Sequence, residues 1–80
     1  MEELALYYLP TCPYCMKVLQ FMEANGIIID LKSTTEPEAK KRLLEVGKMN
    51  QVPCLFINGE ALYESDDIIA YLAKRFAVKA

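Results

Sequence analysis

Leu4-Ala5-Leu6-Tyr7-Tyr8-Leu9-Pro10-Thr11-Cys12-Pro13-Tyr14-Cys15 is the stretch from which the rest of this 80-residue chain can be read. Leu4 to Leu9 is rich in Leu and Tyr and stops at Pro10, the pattern of a strand closed by a breaker. Pro13 suits the first position of a helix, where its missing N–H costs nothing, and that places Cys12 at the N-cap. From Cys15 the apolar residues recur at Val18, Leu19 and Met22, the spacing of a helix with one buried face. Asn25-Gly26 supplies the left-handed residue that ends it.

Further along, Ile27-Ile28-Ile29 reads as a short strand buried on both faces. Ser33 to Thr35 reads as a loop. Thr35 and Glu38 form a capping-box pattern ahead of a second helix, with Pro37 in its first turn. That helix should bury Ala39, Leu43 and Val46, expose Lys40, Lys41 and Arg42, and end at Gly47. Cys54 to Ile57 is a strand, Asn58-Gly59 a strong hairpin signal, and Ala61 to Tyr63 the return strand. Ser65 is expected to cap a last helix with Ile68, Ile69, Leu72 and Phe76 on its core side, and Lys74, Arg75 and Lys79 near its negative end. The order is β-α-β-α-β-β-α. A strand-helix-strand start implies a parallel pair with a right-handed crossover, and the hairpin adds an antiparallel pair. The expected product is an α/β domain with a four-stranded mixed sheet flanked by three helices, one domain over 1–80.

Composition narrows the chemistry. Hydrophobic residues are 54% and charged residues 25%, which is globular rather than disordered. Histidine is absent, which excludes Ser-His-Asp and Cys-His nucleophiles and histidine zinc sites. A net charge of −2 and a pI near 5.0 argue against a nucleic-acid partner, which requires a basic face. No run approaches the ~20 apolar residues needed to span a bilayer, and the acidic start Met1-Glu2-Glu3 is unlike a secretory signal. The expected location is the cytoplasm. There, a close cysteine pair points to redox chemistry or metal rather than a structural bridge. With three cysteines and no histidine, a four-ligand zinc site is disfavoured. Cys54 reads as a core residue, and Tyr7, Tyr8 and Tyr63 as core or rim aromatics.

Cys12-Pro13-Tyr14-Cys15 is therefore the reactive group. Cys12 faces the unpaired N–H groups and positive end of the helix, which favour thiolate, whereas Cys15 lies one turn deeper on the buried side. Cys12 can attack a disulfide, and Cys15 can resolve the mixed disulfide that forms.

This motif after a first strand, with Val52-Pro53 some forty residues on and then Glu64-Ser65-Asp66-Asp67, resembles a dithiol glutaredoxin of the thioredoxin-fold superfamily over nearly the whole chain. The resemblance implies a glutathione-disulfide oxidoreductase that reduces protein disulfides and glutathionylated proteins, with Cys12 and Cys15 catalytic. Glutathione would be the reductant, a glutathione reductase with NADPH upstream, and the potential about −200 to −230 mV. It also implies a cis bond at Pro53, with the Val52 backbone pairing to the ligand's cysteine and Tyr14 flanking it. The N–H groups of Ser65 and Asp66 would take the γ-glutamyl carboxylate, and the Asp66 side chain the ammonium. Glu64-Ser65 is similar to the γ-glutamyl-binding pair of glutathione transferases, whose N-terminal domain has the same fold. Glutaredoxins usually carry a lysine shortly before the first cysteine, whereas here the residues are Leu9-Pro10-Thr11. Lys48 is the candidate replacement, with Thr11 and Gln51 as neutral donors. The missing lysine keeps open a redoxin recharged by thioredoxin reductase that serves ribonucleotide reductase. An iron–sulfur cluster carrier is disfavoured by Pro13. A transferase acting on electrophiles is disfavoured because this stretch of chain contains no helical second domain. A monomer is expected.

Overall fold

The computed structural model describes residues 4–47 and 51–76. Strand β1 (Leu4–Tyr8) leads through a turn into α1 (Pro13–Ala24), followed by β2 (Asp30–Ser33) and α2 (Pro37–Arg42). A π-helical segment, Leu43–Gly47, continues α2, and then come β3 (Cys54–Ile57), β4 (Glu60–Leu62) and α3 (Ser65–Arg75). The four strands form one mixed sheet in the order β2-β1-β3-β4. β1 is parallel to β2 and antiparallel to β3, which is antiparallel to β4. The thioredoxin-like α/β architecture implied by the resemblance is the one found.

Alternation along the central strands splits the core between the two faces of the sheet. Leu6 and Leu55 point to one side, where Val18 and Met22 of α1 and Ile68 and Leu72 of α3 close over them. Tyr7, Cys54 and Phe56 point to the other, under Ala39 and Leu43. The Tyr7 and Phe56 rings lie 4.6 Å apart between centroids in a tilted pair, a favoured aromatic geometry. Asn58 and Gly59 take φ of 51° and 89° at the hairpin, both in the left-handed region that a two-residue primed turn demands. Among the described residues no helix is long and apolar enough to cross a membrane.

Several local expectations are corrected. Phe76, expected on the core side of the last helix, is an exposed C-cap residue because α3 ends at Arg75, and Lys79 lies outside the described residues. The second strand is not Ile27–Ile29 but Asp30–Ser33, and it lies at the sheet edge with Ala5 opposite Asp30. An edge strand has hydrogen-bond partners on one side only and tolerates charge, so Asp30 and Lys32 belong there. The isoleucines form the approach to the strand: Ile27 is 6% exposed and Ile28 90%, with Ile29 packed against the helix-side core. The second helix is capped by Glu36 rather than Thr35. Pro37 holds the first helical position and keeps its predecessor extended, at φ −87° and ψ 129°. The Thr35 hydroxyl pairs with that of Ser33 at 2.7 Å instead. In the third helix Ser65 is the first helical residue and Glu64, at φ 73°, is the N-cap, because the Ile68 N–H donates to the Glu64 carbonyl at 3.0 Å.

The contrast within the isoleucine run is measurable. Ile27→Ala should destabilise the fold by about 2–5 kcal/mol, and Ile28→Ala by no more than about 0.5 kcal/mol. Urea unfolding followed by circular dichroism checks both; equal losses would mean the strand starts earlier than described.

Candidate active site

Strand register brings the chemistry to one end of the sheet. Tyr7 pairs with Cys54, so the end of β1 lies beside the start of β3. Leu55 pairs with Leu62, so β4 finishes at that same end. The residues after β1, before β3 and after β4 therefore converge: the cysteine motif, Gln51-Val52-Pro53, and Glu64-Ser65-Asp66. Tyr14, Gln51, Val52, Pro53, Glu64, Ser65 and Asp66 line a cleft of about 330 Å³, at the lower end of the range for small-molecule sites. The Val52–Pro53 bond is cis, as the resemblance implied. Thr11 is exposed in the turn before α1 and does not line this cleft. Lys48 lies outside the described residues. A larger open groove of about 820 Å³, against Leu4, Asn58 and Gly59 at the opposite end of the sheet, contains none of the cysteines.

Cys12 is the N-cap residue of α1, with Pro13 following as the sequence predicts. No disulfide joins the three thiols; Cys12 is half-exposed, Cys15 and Cys54 buried. Burial of the Cys12 sulfur works against its charge. Hydrogen bonding from the Cys15 backbone, the Cys15 thiol and the Tyr14 backbone outweighs it, so its pKa falls below the ordinary thiol value. The neutral thiol forms no side-chain capping bond; its ionised form gains most from those N–H groups. Cys15 behaves in the opposite way. Burial pushes its pKa up to about 11, against the backbone N–H of Leu9 and reinforced by its hydrogen bond and charge interaction with Cys12. That Leu9 N–H donates to Cys15 Sγ at 3.4 Å. One turn of helix thus separates a thiol disposed to ionise from one held protonated.

Cys54 is fully buried. Burial likewise pushes its pKa up to about 11, against hydrogen bonds from Tyr63 and the Leu62 backbone. It is a core thiol whose protonated form is favoured, next in sequence to Pro53 of the cleft.

At the start of α3, Ser65 is buried, and Asp66 and Asp67 occupy the first turn, where the helix end favours negative charge. The Asp66 carboxylate pairs with Lys17 of α1. Sequence reasoning missed this cation because 49 residues separate the partners; only the packing of α1 beside α3 joins them. It missed the Tyr63 hydroxyl too, which donates to the Gly47 carbonyl at 2.8 Å. A polar aromatic two residues before a buried serine was the available signal.

Residues 6–80 match the family model described as the glutathione S-transferase N-terminal domain. The chain belongs to that family. It is 34% identical over 74 residues to glutathione S-transferase D7 of Anopheles gambiae, covering 89% of this chain and 34% of that protein. Among solved structures, glutathione transferase Omega 3C of Trametes versicolor superposes with a TM-score of 0.80 at 26% identity, over 94% of this chain and 34% of that one. The thioredoxin-like protein BC3987 gives a TM-score of 0.74 at 25% identity, over 90% of this chain and 97% of that one. The chain therefore spans about a third of the length of these transferases. The family shown is the transferase N-terminal domain; the glutaredoxin resemblance rests on the cysteine motif within that shared fold.

Two pH experiments follow. Iodoacetamide should label Cys12 with a half-maximal rate at lower pH than a free cysteine in the same buffers, while Cys15 and Cys54 should stay unlabelled until the pH nears 11. Mass mapping across a pH series reads this directly. The two buried thiols also link folding to pH. Their folded pKa values lie above the unfolded ones, so the stability they contribute is fully present below about pH 8.5 and lost as pH rises through 11. The thermal midpoint should fall across that window, and less steeply in Cys54→Ala.

Proposed function

We propose that this domain is a glutathione-dependent thiol–disulfide oxidoreductase acting on protein disulfides and glutathionylated proteins. The observation that carries the reading is the opposed ionisation of Cys12 and Cys15 across the first turn of α1, adjoining a cleft built by Val52, Pro53, Ser65 and Asp66.

The Cys12 thiolate attacks one sulfur of a substrate disulfide, forming a mixed disulfide and expelling the other sulfur as a thiolate that takes a proton. Cys15 gives its proton to that expelled thiolate and attacks the Cys12 sulfur, closing a Cys12–Cys15 disulfide and releasing the second substrate sulfur as a thiolate that solvent protonates. When the substrate is a glutathionylated protein, Cys12 takes the glutathione sulfur and the protein thiol departs. A second glutathione thiolate then attacks the mixed disulfide, yielding oxidised glutathione and Cys12.

The tripeptide would lie across the three converging segments. The Val52 main chain would pair with its cysteinyl unit, and Tyr14 would flank it. Ser65 and Asp66 N–H groups at the start of α3 would receive the γ-glutamyl carboxylate, with Glu64 beside them. Asp66 would bind the ammonium in exchange for Lys17, replacing one cation with another. Gln51 supplies a neutral donor within the cleft, and Thr11 another in the turn before α1. Lys48 remains a candidate for the glycyl carboxylate.

The family match favours one second reading: the domain serves as the glutathione-binding part of a transferase that conjugates electrophiles. The two separate in one set of assays. With glutathione, glutathione reductase and NADPH, Cys12→Ser should lower both protein-disulfide reduction and deglutathionylation to background. Cys15→Ser should lose disulfide reduction alone. Wild-type protein without either exchange activity, but able to conjugate chlorodinitrobenzene, would establish the transferase reading instead.

A further inference from the structure

Tyr63 follows β4 directly and precedes the N-cap of α3. Its half-buried ring packs against the core cluster that contains Cys54. Its hydroxyl donates to the carbonyl of Gly47, where the π-helical segment ends, at 2.8 Å. The same side chain is a hydrogen-bond partner of the Cys54 thiol. Cys54 directly follows Gln51, Val52 and Pro53, which line the cleft, and Val52 packs against the same cluster as Tyr63. Meanwhile the Tyr63 backbone runs straight into Glu64, Ser65 and Asp66 on the other wall. One side chain, anchored by its hydroxyl on the end of the π-helical segment, therefore packs against the cluster that carries Val52 of one wall and is covalently joined to the other wall. The residue at position 47 belongs to the same arrangement, because a Cβ there would collide with the Tyr63 hydroxyl oxygen.

We propose that Tyr63 is a positioning residue whose hydroxyl, held between the Gly47 carbonyl and the Cys54 thiol, sets the spacing of the two cleft walls and so the affinity for glutathione. This rests on the glutathione reading above. Tyr63 does not act on the thiolate. The N–H groups that favour ionisation of Cys12 belong to α1, and they remain when the hydroxyl is removed. Binding and nucleophilicity are thus controlled by separate parts of the structure.

Tyr63→Phe retains the ring and removes only the hydroxyl. With S-methylglutathione, which cannot exchange, calorimetric titration should show Kd raised about three- to tenfold, the value of one hydrogen bond. Gly47→Ala should move Kd in the same direction. The pH profile of Cys12 alkylation should superimpose on that of the wild type in both variants. Met22→Ala, in the core near the far end of α1, serves as a control that lowers the melting temperature and should leave Kd unchanged. An unchanged Kd in Tyr63→Phe overturns the proposal. So does an equal loss in Met22→Ala, or a shifted Cys12 profile, either of which would mark general loosening. Wild-type protein that fails to bind S-methylglutathione overturns the glutathione reading and takes this inference with it, a result distinct from the others.

Discussion

The pairing of Tyr7 with Cys54 in the antiparallel β1–β3 ladder is the constraint on which the site depends. It aligns the end of the first strand with the start of the third. Cys12 lies four residues beyond Tyr8, and Pro53 immediately precedes Cys54, so this alignment carries both to one end of the sheet. The hairpin turn at Asn58-Gly59 extends the effect, returning β4 so that Glu64 and Ser65 emerge there as well. A slip of one residue would be costly because side chains alternate between faces. Leu55 would leave the α1 side of the core, and Cys54 and Phe56 would leave the α2 side.

On that frame, one helix end separates two chemically identical side chains. Cys12 stands where N–H groups lack helical acceptors and where solvent reaches the sulfur; Cys15 sits three residues on, with no exposed surface. Orientation and burial act together on each, in opposite senses. At Cys54 burial likewise raises the thiol, there against hydrogen bonds from Tyr63 and the Leu62 backbone and with no helix end beside it. The fold buries the third cysteine in the core, immediately after Pro53 of the cleft, and favours its protonated form.

The comparisons and the motif carry different kinds of information. The transferase N-terminal domain and the thioredoxin-like protein share this fold across chains of very different length. A shared fold does not select among the reactions it hosts. The proposal of thiol exchange over conjugation rests on the dithiol in Cys12-Pro13-Tyr14-Cys15, which the reduction of protein disulfides uses and conjugation does not.

By itself the amino-acid order determined those features that neighbouring residues decide. Pro13 set the start of α1 and made Cys12 its cap; Asn58-Gly59 set the hairpin; the spacing of Val18 and Met22, and of Ile68 and Leu72, chose the buried helix faces. Each depends on local dihedral preference or periodicity, so a window of a few residues contains the cause. Tertiary structure alone decided that the isoleucine run lies before an edge strand, because strand position depends on which neighbour β1 accepts. It alone brought Lys17 to Asp66 and Tyr63 to Gly47. Contacts across 49 and 16 residues exist only once the helices and sheet have packed, and no local pattern encodes the distance between two surfaces that have yet to meet.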